Sequence, residues 1–109
     1  MTKKQLAKIS HVKFGFGGYQ EAQFGLSLTF TGDGWGCGTF LGHWADEPLD
    51  GAKWTDQSRK DYLGDLCLKI AEYCRLSKVK HVAQLAGIPV EVTFTDGKLE
   101  SWRILTEVL

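Results

Sequence analysis

From Ala22 to Phe30 the chain alternates without a break: Phe24, Leu26, Leu28 and Phe30 fall on one side, Gln23, Gly25, Ser27 and Thr29 on the other. Period two with a polar second face specifies a half-exposed strand of an antiparallel sheet. Such a strand needs neighbours, and the flanking segments supply them. Upstream, Val12, Phe14 and Phe16 alternate with His11, Lys13 and Gly15, and Gly17-Gly18 offers a turn in which positive φ costs little. Downstream, Thr31-Gly32-Asp33-Gly34 is a tight hairpin signal, followed by a strand from Trp35 to Leu41 with Gly36, Gly38 and Gly42 in and just after it. These three strands follow in meander order. Lys3, Lys4, Lys8 and Lys13 read as a solvated N-terminal edge.

After an irregular stretch from His43 to Trp54 the period changes. Thr55 or Asp56 can cap a helix, and Leu63, Leu66, Cys67, Ile70 and Cys74 then form one apolar stripe over about five turns. Cys67 and Cys74 on that stripe read as core filler, as free cysteine usually is. Gly64 is an internal weak point of the helix. A short turn from Val79 to Ala86 closes at Gly87, with Pro89 just beyond. Val90, Val92 and Phe94 alternate again, Asp96-Gly97 is a strong two-residue turn signal, and Leu99 to Val108 returns. Pairing Phe94 with Leu99 puts Ser101 and Arg103 on one face and Trp102 and Ile104 on the other. Either a bulge near Glu100-Ser101 restores the apolar face, or both faces of this strand are covered. The expected architecture is a single α+β domain over residues 1–109. It has a mostly antiparallel sheet in the order β-β-β-α-β-β and one main helix packed on one face.

Composition bounds the function. A chain of 109 residues buries about two-thirds of its unfolded surface and needs neither metal nor disulfide to fold. Thirteen Lys and Arg balance thirteen Asp and Glu, which excludes a strongly basic coat on a duplex but leaves room for a small anion held by two or three local cations. No apolar run approaches the roughly 20 residues of a membrane span, and the first residues lack the apolar core of a secretion signal. Three cysteines without a Cys-x-x-Cys pair suit reduced thiols in a cytoplasmic protein. The histidines and cysteines do not fall at the spacings of structural zinc sites, so no metal and no cofactor are expected. The glycine runs at 14–19 and 32–38 lack a following helix and the Gly-Lys-Ser/Thr of a phosphate loop, and read as turns and strand positions instead.

The aromatic content is the informative excess: four Trp, three Tyr and six Phe. Trp35, Trp44 and Trp54 flank turns and the irregular stretch, where indoles serve stacking sites and interfaces. With Arg59, Lys60 and Arg103 they could hold a nucleobase by stacking and a phosphate by a bidentate guanidinium. The candidate ligand-binding residues are therefore Trp35, His43, Trp44, Arg59, Trp102 and Arg103. Against this stands the simpler role of Arg59 and Lys60 as a solvated helix face. A Cys37–His43 nucleophile pair lacks an oriented third group. A small hydrolase or nuclease using His43 or His11 with Asp33 or Asp46 ranks last, and no catalytic residue is expected.

The run HVKFGFGGYQEAQFGLSLTFTGDGWGCGTFLGHW and the ending LAGIPVEVTFTDGKLESWRILTEVL resemble a family of small accessory proteins of bacteriophages and prophages. In size and shape the chain is similar to the Thoeris anti-defence sponges, which sequester cyclised ADP-ribose signals at subunit interfaces. The resemblance implies a non-enzymatic, phage-encoded inhibitor of bacterial defence that acts in the host cytoplasm. It would capture a nucleotide-derived signal as a homo-oligomer; composition adds the expectation of no membrane and no non-specific nucleic-acid binding. The alternative is an anti-CRISPR-type inhibitor that binds a host effector complex.

Overall fold

A computed structural model describes residues 1–46 and 50–109. Of the irregular stretch expected between His43 and Trp54, residues 47–49 lie outside the described residues. Strands β1 (Thr2–Gly17), β2 (Gln23–Gly32), β3 (Trp35–Trp44), β4 (Pro89–Thr95) and β5 (Lys98–Ile104) form one antiparallel sheet in the spatial order β3-β2-β1-β4-β5. Helix α1 (Asp56–Ser77) lies between β3 and β4 in sequence. This is the expected α+β order, β-β-β-α-β-β.

The first strand differs from expectation. It spans 16 residues and forms the centre of the sheet, so the lysines read as a solvated edge are exposed on the middle strand instead. A bulge conceals its length. The register passes from Ile9↔Phe30 to His11↔Thr29 and leaves Ser10 over. Odd positions up to Ile9 and even positions from Val12 therefore share one face, and no single alternation runs through both. Ser10 Oγ donates to the Thr29 carbonyl at 3.2 Å and accepts from Thr31 Oγ1 at 2.8 Å, which ties the bulge to β2 through its hydroxyl.

A second bulge settles the C-terminal hairpin. Thr93↔Ser101 is followed by Phe94↔Leu99, so Glu100 is the extra residue and Leu99, Trp102 and Ile104 all reach the apolar face. Asp96 and Gly97 both take positive φ, 52° and 79°, the geometry that suits a two-residue hairpin between twisted strands.

Thr55 caps α1: its hydroxyl accepts from the Ser58 amide at 3.0 Å, while Ser58 Oγ accepts from the Thr55 amide at 2.9 Å. The buried stripe of α1 is Leu66, Tyr73 and Ser77, flanked by half-buried Leu63, Ile70 and Cys74. Cys67 is exposed, which corrects its assignment to the core; one residue past Leu66 is about 100° around the helix. Tyr73 sets this rotation by packing on Trp102 at 4.9 Å between ring centroids. Burial, aided by the Glu72 carboxylate, pushes the Tyr73 phenol up to about 12.

The core is the covered sheet face, where Ile9, Leu26, Leu28, Phe30, Val90 and Val92 meet Leu85 from a 3-10 turn at Val82–Leu85, all fully buried. Among the described residues no helix is long and apolar enough to cross a membrane. Gly64 is exposed, helical and has open space where a Cβ would stand. Gly64→Ala is therefore expected to raise the urea midpoint, with a gain approaching 1 kcal/mol, about the propensity difference between the two residues.

Candidate ligand-binding cavities

Five of the six residues singled out from sequence fall at three places, and Trp44 stands apart from them on the open sheet face. Trp35 and Trp44 stand at opposite ends of β3, nine residues and roughly 30 Å apart along the strand. Register puts Trp35, Cys37, Leu41 and His43 on the covered face, and Phe40 and Trp44 on the open one.

At the first place Trp35 forms a wall. Its indole meets Phe94 edge-on at 5.2 Å between centroids, although β3 and β4 are three positions apart in the sheet, so the sheet curls at this end. A Cβ on Gly32 would lie 2.2 Å from the indole, so the glycine is what lets Trp35 lie across the hairpin. Beside the two rings opens a cavity of about 520 Å³ lined also by Lys3, Gln5, Cys37 and Asp96. Lys3 and Gln5 reach it because β1 continues past the bulge alongside β4, pairing Lys3 with Phe94 and Gln5 with Val92. The Met1 ammonium is held by Asp96 at 2.7 Å on the rim. Burial pushes the Cys37 thiol up, which keeps it protonated and a poor nucleophile.

At the second place the His43 imidazole stacks on Tyr62 of α1, 4.1 Å between centroids and 12° between planes, with Trp54 at 6.4 Å. His43 Nδ1 is buried and has no hydrogen-bond partner among the described residues. A smaller cavity of about 250 Å³ adjoins it, with Asp65 and Lys69 at its mouth. Nearby, Arg59 is committed to structure: it donates to the Ala45 carbonyl at 2.9 Å and pairs with Asp56 at 2.6 Å, tying the end of β3 to the start of α1. Hydrogen bonding by Lys60, then the charges of both cations, hold the Asp56 carboxyl below its ordinary range.

The third place joins Trp102 and Arg103 beside a cavity of about 280 Å³ between β5 and α1. Trp102 is half-buried between Phe30 and Tyr73, at 5.0 and 4.9 Å. Arg103 grips Glu107 through two nitrogens at 3.0 and 3.1 Å and Glu91 through Nε at 3.2 Å. That grip holds the Glu107 carboxyl low and satisfies the guanidinium within the fold.

Cys37 and His43 are six residues apart on one strand, roughly 20 Å, so they form no nucleophile–base pair. Among the described residues no three His, Cys, Asp or Glu side chains converge as metal ligands do. Set against protein-family models, curated proteins and solved structures, the chain matches none. Lys3 and Gln5 escaped the sequence reading because the bulge at Ser10 hid the first half of β1, and Phe94 because sequence spacing does not bring β4 against β3 in a curled sheet. The alternation Lys3, Gln5, Ala7, Ile9 was the available signal.

Proposed function

We propose that this protein is a non-catalytic binding module that sequesters a nucleotide-derived ligand, and that the cavity beside Trp35 is where the ligand sits. The observation that supports this most is the pairing of half-buried Trp35 and Phe94 over about 520 Å³, within the size range of small-molecule sites. A base would stack against the indole, and the Lys3 ammonium would serve a phosphate as a point charge. Arg59 and Arg103, already satisfied by protein partners, contribute less to this reading than Lys3. The phage anti-defence role implied by the resemblance fits such a module, since capture needs affinity and stoichiometry alone.

The test is to incubate the protein with cyclic ADP-ribose isomers and cyclic oligonucleotides, denature it by heat, and recover the ligand. Intact ligand returns to solution if the protein only sequesters. Trp35→Ala should weaken binding by about tenfold or more, the cost of one lost base–aromatic stack. Absence of binding at micromolar protein ends the proposal, and chemically altered ligand favours a hydrolase instead.

A second reading, an inhibitor that docks on a host effector, is favoured by one observation. Phe14 and Phe16 are 48% and 66% exposed on the sheet face that α1 only partly covers, packed edge-on against Phe24. Capture of a defined effector complex by the wild type and not by Phe16→Ala would support it.

A further inference from the structure

The face of the sheet away from α1 forms an ordered grid. Reading from β1 through β2 to β3, Lys8 lies beside Thr31 and Gly36, His11 beside Thr29 and Gly38, Lys13 beside Ser27 and Phe40, and Gly17 beside Gln23 and Trp44. On the other flank, Lys4 lies beside Thr93 and Ser101. Lys4, Lys8, His11 and Lys13 are all exposed, and none of the three lysines has a carboxylate within ion-pairing distance among the described residues. The face positions of β2 and β3 in this grid bear no charge at all. The zero net charge of the chain thus conceals a local excess: β1 carries four lysines and no carboxylate, α1 balances four acidic against four basic residues, and on the β4–β5 flank of this face Glu91 pairs with Arg103 while Glu100 accepts from Thr95.

We propose that this open face docks single-stranded nucleic acid along β1. Lys4, Lys8 and Lys13 span about 27 Å of strand, enough to follow several consecutive phosphates. Threonine and serine hydroxyls between them donate to phosphate and sugar oxygens. Phe40 and Trp44 lie at one end as stacking platforms; the Phe40 ring rests on Gly17, Gly18 and Gly42, where any Cβ would stand 3.1 Å or less from it. Glycines 36 and 38 keep the rest of the β3 surface low, so that a strand can lie close to the backbone. A second copy of the chain is the poorer occupant, because face-to-face packing sets one lysine row against another. This departs from the expectation of no non-specific nucleic-acid binding: that expectation averages charge over the whole chain, whereas a three-lysine row on one sheet face suits a short single strand.

The test uses the full chain and a fluorescent oligothymidylate of about twelve nucleotides, read by anisotropy. Wild-type binding should weaken with salt at a slope near −2 in log–log form, about 0.7 per phosphate contacted by the three lysines. Lys8→Glu with Lys13→Glu should lower affinity at least tenfold, and Phe40→Ala should lower it while leaving the salt slope unchanged. Near-UV circular dichroism checks folding, and Lys8→Gln with Lys13→Gln replaces the double variant should that one fail to fold. Trp35→Ala, on the other face, should bind the oligonucleotide normally, which separates this proposal from the one above. No binding at low salt, equal binding by the lysine variants, preference for duplex, or preference for a poly-glutamate peptide would each overturn it.

Discussion

Phe30→Ala is expected to lower the unfolding free energy by about 3–5 kcal/mol, the range for truncating a large core aromatic. Phe30 is fully buried, packs on Trp102 at 5.0 Å, and sits between Ile9 on β1 and Cys37 on β3. Its removal empties the point at which three strands and the helix-facing indole meet. Little room exists for collapse, because its neighbours belong to fixed strands. Against a total stability of about 5–15 kcal/mol for a domain, the variant keeps a narrow margin. Urea unfolding measures it; a loss below about 1 kcal/mol would show that the sheet face is not the core described here.

Gly25→Ala should cost about 3 kcal/mol by a different mechanism, forced overpacking of backbone. A Cβ there would stand 2.0 Å from the Leu41 carbonyl oxygen and 2.4 Å from the Gly42 Cα. Neither atom is the flexible end of a side chain, so β2 and β3 must separate locally. The damage should appear first in the amide exchange of residues 41–43 and in the His43–Tyr62 stack. Gly38→Ala is the control: its Cβ meets the Leu28 carbonyl oxygen at an ordinary 3.5 Å, and the variant should remain near wild-type stability. Equal losses at the two positions would refute the close approach at Gly25.

Much of this fold was legible because period and turn chemistry agree along the chain. The alternation at 22–30, the Asp96-Gly97 turn and the Thr55 cap each appear in the structure for the reason their residue types suggest. The bulge at Glu100 was one of two options that the mismatch of Phe94, Leu99 and Trp102 allowed, and it is the one found. Illegible parts share a cause. A bulge at Ser10 changes the parity of β1, so period two could not reveal that residues 2–9 belong to the same strand as 12–17. The helix stripe was misphased at Cys67 because Tyr73, polar at its tip, turned out to be the packing residue. The candidate residues are scattered over separate parts of the sheet. All four tryptophans are half-buried, yet sequence spacing says nothing about which sheet face each one reaches once strands curl. Lys3 and Phe94, which share the cavity with Trp35, are 91 positions apart and are joined only through the β1–β4 ladder.

That ladder also fixes an order of events during synthesis. The second half of β1 finds its partner within the next fifteen residues or so, and a three-strand meander can form early. The first half cannot: Thr2 waits for Thr95, 93 positions later, and the central strand of the finished sheet stays half unzipped until β4 leaves the ribosome. Over that interval Ala7 and Ile9 have no lid, and Lys3, Lys4 and Lys8 of the same half-strand supply the repulsion that keeps nascent chains from pairing with each other through the exposed edge.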